Sequence, residues 1–146
     1  MKIVGSLVIL VSAIIVSYMY EKNKREEIAA LREIYKLSEH IKNQIAYFSY
    51  PIKGIYENYK TENPYAKELI NGNKLFVFDK EISEKINACF EGIGKGFKDE
   101  QINALEYLLA ELKSVEKRAS HTITQKIKVF RSIAMFIACC VIILLI

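Results

Sequence analysis

Apolar positions follow two different patterns along this 146-residue chain. At the two ends they are nearly continuous: Ile3 to Tyr20 carries no charged side chain, and neither does Ser132 to Ile146. In the middle they recur every three or four positions among charged neighbours. Ile28, Leu31, Ile34, Leu37 or Ser38, Ile41, Ile45 and Phe48 form one such series. Ile102, Leu105, Leu109, Leu112, Val115, Ala119, Ile123, Ile127 and Phe130 form a second. That spacing keeps one face of a helix apolar, so it predicts two long amphipathic helices, each continuing into a terminal apolar run.

Between them the punctuation predicts short helices. Pro51 lacks an amide proton and disfavours helix at Tyr50, which ends the first long helix and opens a second through about Lys60. Asn63 before Pro64 is a cap and first-position pair for a helix that stops near Gly72, in the turn Asn71-Gly72-Asn73. Leu75 to Phe78 has a strand-like composition but no partner strand, so it reads as a buried connector. Asp79 is expected to cap a helix through about Glu91, Gly92, Gly94 and Gly96 to make a stop and turn, and Asp99 to cap the last helix. The fold class that results is all-α: a helical bundle between two terminal transmembrane helices.

The N-terminal run, as a helix, is roughly 27 Å long, close to the hydrocarbon thickness of a bilayer. It starts like a signal peptide, with Lys2 before an apolar stretch, but ends in Tyr18, Met19 and Tyr20 instead of a small-residue cleavage site, so it is read as retained. Tyr18 and Tyr20 fall where interfacial aromatics are favoured. The C-terminal run spans if Val129 and Phe130 are counted and Arg131 reaches back to the headgroups. It has no polar face to lie in the membrane plane. Lys22, Lys24 and Arg25 follow the first run, while Lys126, Lys128 and Arg131 precede or border the second. Both flanks therefore place the intervening domain in the cytoplasm by the positive-inside rule. The expected division is residues 1–20 and 129–146 as membrane helices, with 21–128 as one cytoplasmic domain.

Charge excludes more than it proposes. All 17 acidic residues and all but one of the 21 Lys and Arg lie between Glu21 and Arg131, leaving that domain at about +3. This is too mild for a nucleic-acid surface, and the juxtamembrane clusters are accounted for by topology and anionic lipid. Cys89, Cys139 and Cys140 have no metal-site or redox spacing. His40 and His121 stand on different helices with no second ligand at helical spacing and no triad partners. The GIGKG stretch has neither a preceding strand nor a Walker pattern, so it is a turn before it is a phosphate loop. The aromatic-rich stretch Tyr47 to Tyr65 reads as core packing and a partner-binding surface rather than a base-stacking platform. No catalytic, metal or cofactor residues are nominated, and no cofactor or small-molecule substrate is expected.

Three stretches resemble motifs of the stage III sporulation protein AB family of spore-forming bacteria. Gln44, Ile45, Ala46, Tyr47, Phe48, Ser49, Tyr50, Pro51 and Ile52 resemble its Glu-Ile-x-Tyr-x-x-x-Pro-Leu motif. Ile93, Gly94, Lys95, Gly96 and Phe97, with Gln101 four residues on, resemble its Leu-Gly-x-Ser-Asp turn. Lys126 to Ala134 resembles the Lys-x-x-x-Tyr-Arg-x-Leu-Gly approach to its last span. Gln44 departs from an acidic residue and Phe97 from the turn aspartate.

The resemblance implies a cytoplasmic domain similar to that of the inner-membrane platform protein of type II secretion and type IV pilus machines. It also implies a non-catalytic adaptor in the export complex joining mother cell and forespore. The implied partners are the bilayer and other subunits of that complex, among them a secretion-type ATPase or a polytopic membrane subunit. The contact candidates are Tyr47, Pro51, Gly94 and Gln101. Two alternatives stand beside this reading: a platform component of a secretion or pilus machine, which usually carries a duplicated domain, and a small membrane enzyme acting on lipid or cell wall, which would need converging polar groups at the membrane face.

Overall fold

A computed structural model describes residues 2–47 and 52–145, without the side chains of 2–4, 6, 7, 9, 10, 52, 53, 131, 138, 142, 144 and 145. Every regular element among them is a helix: α1 (Lys2–Tyr47), α2 (Ile52–Asn58), α3 (Pro64–Ile70), α4 (Lys80–Gly92) and α5 (Lys98–Leu145). The chain divides into two compact units, Glu27–Lys117 and the pair of segments Met1–Glu26 and Arg118–Ile146.

The Glu27–Lys117 unit is a helical bundle built on the two amphipathic stripes. Ile34, Leu37, Ile41, Leu105 and Leu112 are completely or almost completely buried, and the short helices complete the core with Ile55, Ala66, Leu69, Ile82 and Ile86. Each buried Leu or Ile stabilises the unit by about 1.5–3 kcal/mol relative to exposure. The two buried hydroxyls are satisfied locally, Ser38 Oγ by the Ile34 carbonyl (2.8 Å) and Ser83 Oγ by that of Phe78 (3.1 Å).

Polar contacts fix the direction of the long helices in this unit. Arg32 pairs with Glu116 and Lys42 with Glu106, and Lys98 Nζ donates to the Ala46 carbonyl (2.7 Å). As position rises along α1 its partner on α5 falls, so the two segments run antiparallel. Exposed ion pairs of this kind contribute only about 0.2–1 kcal/mol each; they set register more than they set stability.

Most of the expected punctuation is present. Asn63 Oδ1 accepts from the N–H groups of Tyr65 (3.0 Å) and Ala66 (3.3 Å), the paired bonds of an N-cap before Pro64. Gly72 has φ +78° and ends α3. Four details differ from expectation. The second helix stops at Asn58, not Lys60, and Pro51 lies outside the described residues.

In the connector only Leu75 and Phe78 are buried while Phe76 and Val77 are exposed. Asn87 holds Leu75 at both its N–H and its carbonyl (2.9 Å each), so extended backbone is satisfied without a partner strand. Asp79 occupies the cap position of α4 but its side chain makes no cap bond. The last helix begins at Lys98, so Asp99 lies inside its first turn and cannot cap it. Glu100 instead accepts the Phe97 N–H (3.3 Å), the reciprocal half of a capping box.

In the other unit α1 and α5 contribute one seam each. Ala13 and Ser17 on α1, and Ile123, Ile127, Ala134 and Val141 on α5, are half-buried, whereas most of the larger apolar side chains there face outward. Among the described residues no helix is long and apolar enough to cross a membrane. Both terminal runs contain side chains outside that description.

Candidate functional site

Of the four resemblance-derived contact residues, Tyr47, Gly94 and Gln101 lie at one end of the Glu27–Lys117 unit, and Pro51 lies outside the described residues. Gly94 adopts φ +84°, a left-handed conformation that a glycine takes without steric cost and that reverses the chain after α4. Its N–H donates to Gln101 Oε1 (2.8 Å), and Gln101 Nε2 donates back to the Gly96 carbonyl (2.7 Å). One side chain therefore closes the glycine turn by both its donor and its acceptor. Gly94 and Gln101 are brought together, with both amide atoms of Gln101 engaged in closing the turn.

Tyr47 is placed differently. It is 79 % exposed at the end of α1, and Phe97 is 80 % exposed just before α5. The Lys98–Ala46 bond joins the neighbours of these two rings, so the pair caps one end of the bundle. The same bond gives the last turn of α1 a cation at its carbonyl end, where the helix dipole favours one. Sequence reasoning treated Phe97 only as a departure from a family aspartate. The departure itself was the signal, since a large ring in a glycine turn has no core to enter.

A groove of about 200 Å³ lies beside this turn, lined by Ala88, Cys89, Gly92, Ile93, Gly96, Glu100, Gln101 and Ala104. Burial pushes the Cys89 thiol up to about 11, so it is a neutral packing group at physiological pH. A second, more open cavity of about 540 Å³ lies between Tyr59–Glu62 and Lys67–Asn71. There Glu33 accepts from Tyr59 OH (3.0 Å) and Thr61 Oγ1 (3.1 Å), tying the α2–α3 linker to α1. Burial and then the Glu33 carboxylate push the Tyr59 phenol up to about 12.

The histidines stay apart. His40 packs at a tilt against Tyr59, 5.2 Å between ring centroids, with its Nε2 buried and unpartnered, and His121 is exposed in the other unit. Among the described residues no three of His, Cys, Asp and Glu could hold a metal ion.

Of the basic flanks, Arg25 pairs with Glu21 (2.7 Å) and Lys22 lies 4.0 Å from Glu26, while Lys126 and Lys128 are exposed and the side chain of Arg131 lies outside the described residues. Lys24 is also engaged in a side-chain interaction. No family model, characterised protein or solved structure matches this chain.

Proposed function

We propose that this protein is a non-catalytic, membrane-anchored adaptor in a sporulation export complex, with residues 1–20 and 129–146 in the bilayer and the bundle in the cytoplasm. The observation that carries the anchoring is the outward apolar surface of the Met1–Glu26 and Arg118–Ile146 unit. Ile14, Val16, Met135, Phe136 and Ile143 are all more than half exposed on segments free of charged side chains. Exposed apolar area of that extent requires a cover, and hydrocarbon provides one on every side of a helix pair. The bulk of the apolar side chains that water would reject is then solvated by lipid.

The sporulation reading rests on the three motif resemblances. In it the exposed Tyr47 and Phe97 pair is the contact surface for a cytoplasmic subunit, such as a secretion-type ATPase or the cytoplasmic side of a polytopic membrane subunit. Two anchors restrict how the bundle can turn, so position or force passes between that partner and the membrane.

Single-cysteine labelling tests the topology. Asn58→Cys is expected to react only in inverted vesicles; reaction in intact cells would reverse the topology and remove cytoplasmic partners. Deletion is expected to arrest sporulation after engulfment and spare vegetative growth, whereas a normal yield of heat-resistant spores would refute the sporulation assignment.

A further inference from the structure

The two basic flanks are not equivalent. Residues 21–27 hold Lys22, Lys24 and Arg25 against Glu21, Glu26 and Glu27, a net charge of zero. Arg25 donates to Glu21 through both Nε (3.0 Å) and Nη2 (2.7 Å), so the cancellation is local.

On α5 no acidic side chain follows Glu116, and Arg118, Lys126, Lys128 and Arg131 give residues 118–131 a charge of +4. The side chains of Arg118, Lys126 and Lys128 are exposed. At 3.6 residues per turn Arg118, His121 and Lys128 fall within an arc of about 80° opposite the half-buried seam, whereas Lys126 lies about 160° round the helix from Lys128, nearer the seam. Along that arc Val129, Phe136 and Ile143 continue as exposed apolar side chains. Beyond Glu116 α5 thus runs from cationic to apolar with no acidic residue of its own.

We infer that this basic flank of α5, residues 118–131, and not the flank of α1, selects anionic phospholipid headgroups. The inference rests on the anchored reading proposed above. Charge complementarity supplies the ligand class: a phosphate diester at the depth where the apolar face begins meets Lys126 and Lys128. Arg118 lies ten residues from Lys128, about 15 Å along the helix. That is beyond a Debye length of about 8 Å, so its attraction is largely screened. A balanced flank such as that of α1 attracts and repels an anionic surface about equally.

The test is reconstitution of the full chain into vesicles of phosphatidylcholine and phosphatidylglycerol at three to one. The preference of protein-restricted lipid for spin-labelled phosphatidylglycerol over spin-labelled phosphatidylcholine is then read by electron spin resonance. At about 0.15 M salt each lysine in the phosphate layer is expected to contribute up to roughly fivefold. The K126Q/K128Q variant is expected to fall to near parity, R118Q to keep most of the preference, and K22Q/K24Q/R25Q to keep it all. Wild-type preference in K126Q/K128Q, or its loss in the α1 variant, would overturn the assignment. Abolition by millimolar inorganic phosphate at constant ionic strength would make this a phosphate site and overturn the lipid assignment too. A chain that resists alkaline carbonate extraction yet shows no preference defeats this inference alone. A chain stripped by carbonate defeats the anchored reading as well.

Discussion

The same two helices treat their apolar residues in opposite ways in the two units. Between Glu27 and Lys117 the stripes of α1 and α5 are buried, because α2, α3 and α4 supply apolar surface against them. In the other unit the helices contribute only a narrow seam, and most of the large apolar side chains there face outward. Composition explains the difference. A stripe of three or four apolar residues per two turns needs a partner on one side, whereas a run apolar all round needs one on every side. The Met1–Glu26 and Arg118–Ile146 unit contains only segments of α1 and α5, so its apolar runs find a partner on one side and stay exposed on the others.

The contrast makes the sharpest predictions about single substitutions. Leu37→Ala is expected to destabilise the bundle by about 2–5 kcal/mol, because Leu37 is fully buried and the cavity cannot collapse. Phe136→Leu is expected to leave that stability unchanged. Thermal unfolding of the full chain in detergent, followed by circular dichroism, checks both, and a comparable loss for Phe136→Leu would erase the distinction between the units. Ile14→Lys should act in the reverse sense, costing membrane insertion about 2.5–3.5 kcal/mol while sparing the bundle. Carbonate extraction of membranes reads it.

Gln101→Ala removes two hydrogen bonds that close the glycine turn, for a loss of about 1–2 kcal/mol, whereas Tyr47→Ala should cost the bundle little because its ring is exposed. If Tyr47→Ala instead destabilised the fold as much as Gln101→Ala, the ring would be a packing group and not a contact surface.

The smallest effect is confined to alkaline pH. Tyr59 binds its proton more tightly folded than unfolded, so its contribution is complete below the unfolded value of 10.0 and is lost as pH rises toward about 12. Tyr59→Phe should flatten the fall in melting temperature across that window. An unchanged slope would assign the fall to other groups.

The long helices, the Asn63 cap and the glycine stops were legible because each depends on neighbours within a turn or two. Leu108 fits the period as well as Leu109 does, three residues after Leu105 and four before Leu112, but that α5 buries both became visible only with the helices packed against it in place. Asp79 and Asp99 misled for a related reason: a good capping residue states that a helix begins nearby, but the first turn was decided elsewhere, for α5 by Glu100 reaching back to Phe97. Exposure of Phe97 and closure of the turn by Gln101 likewise depend on contacts that no local pattern encodes.

Order along the chain, the helical period and the charge asymmetry of the two flanks follow from the amino-acid sequence alone, since they are properties of spacing and composition. Which polar side chains lock turns, which aromatic rings face outward, and that Tyr47 and Phe97 share one end of the bundle were decided by packing. Residues 50 positions apart become neighbours only when α1 and α5 run antiparallel and bury their stripes against the short helices.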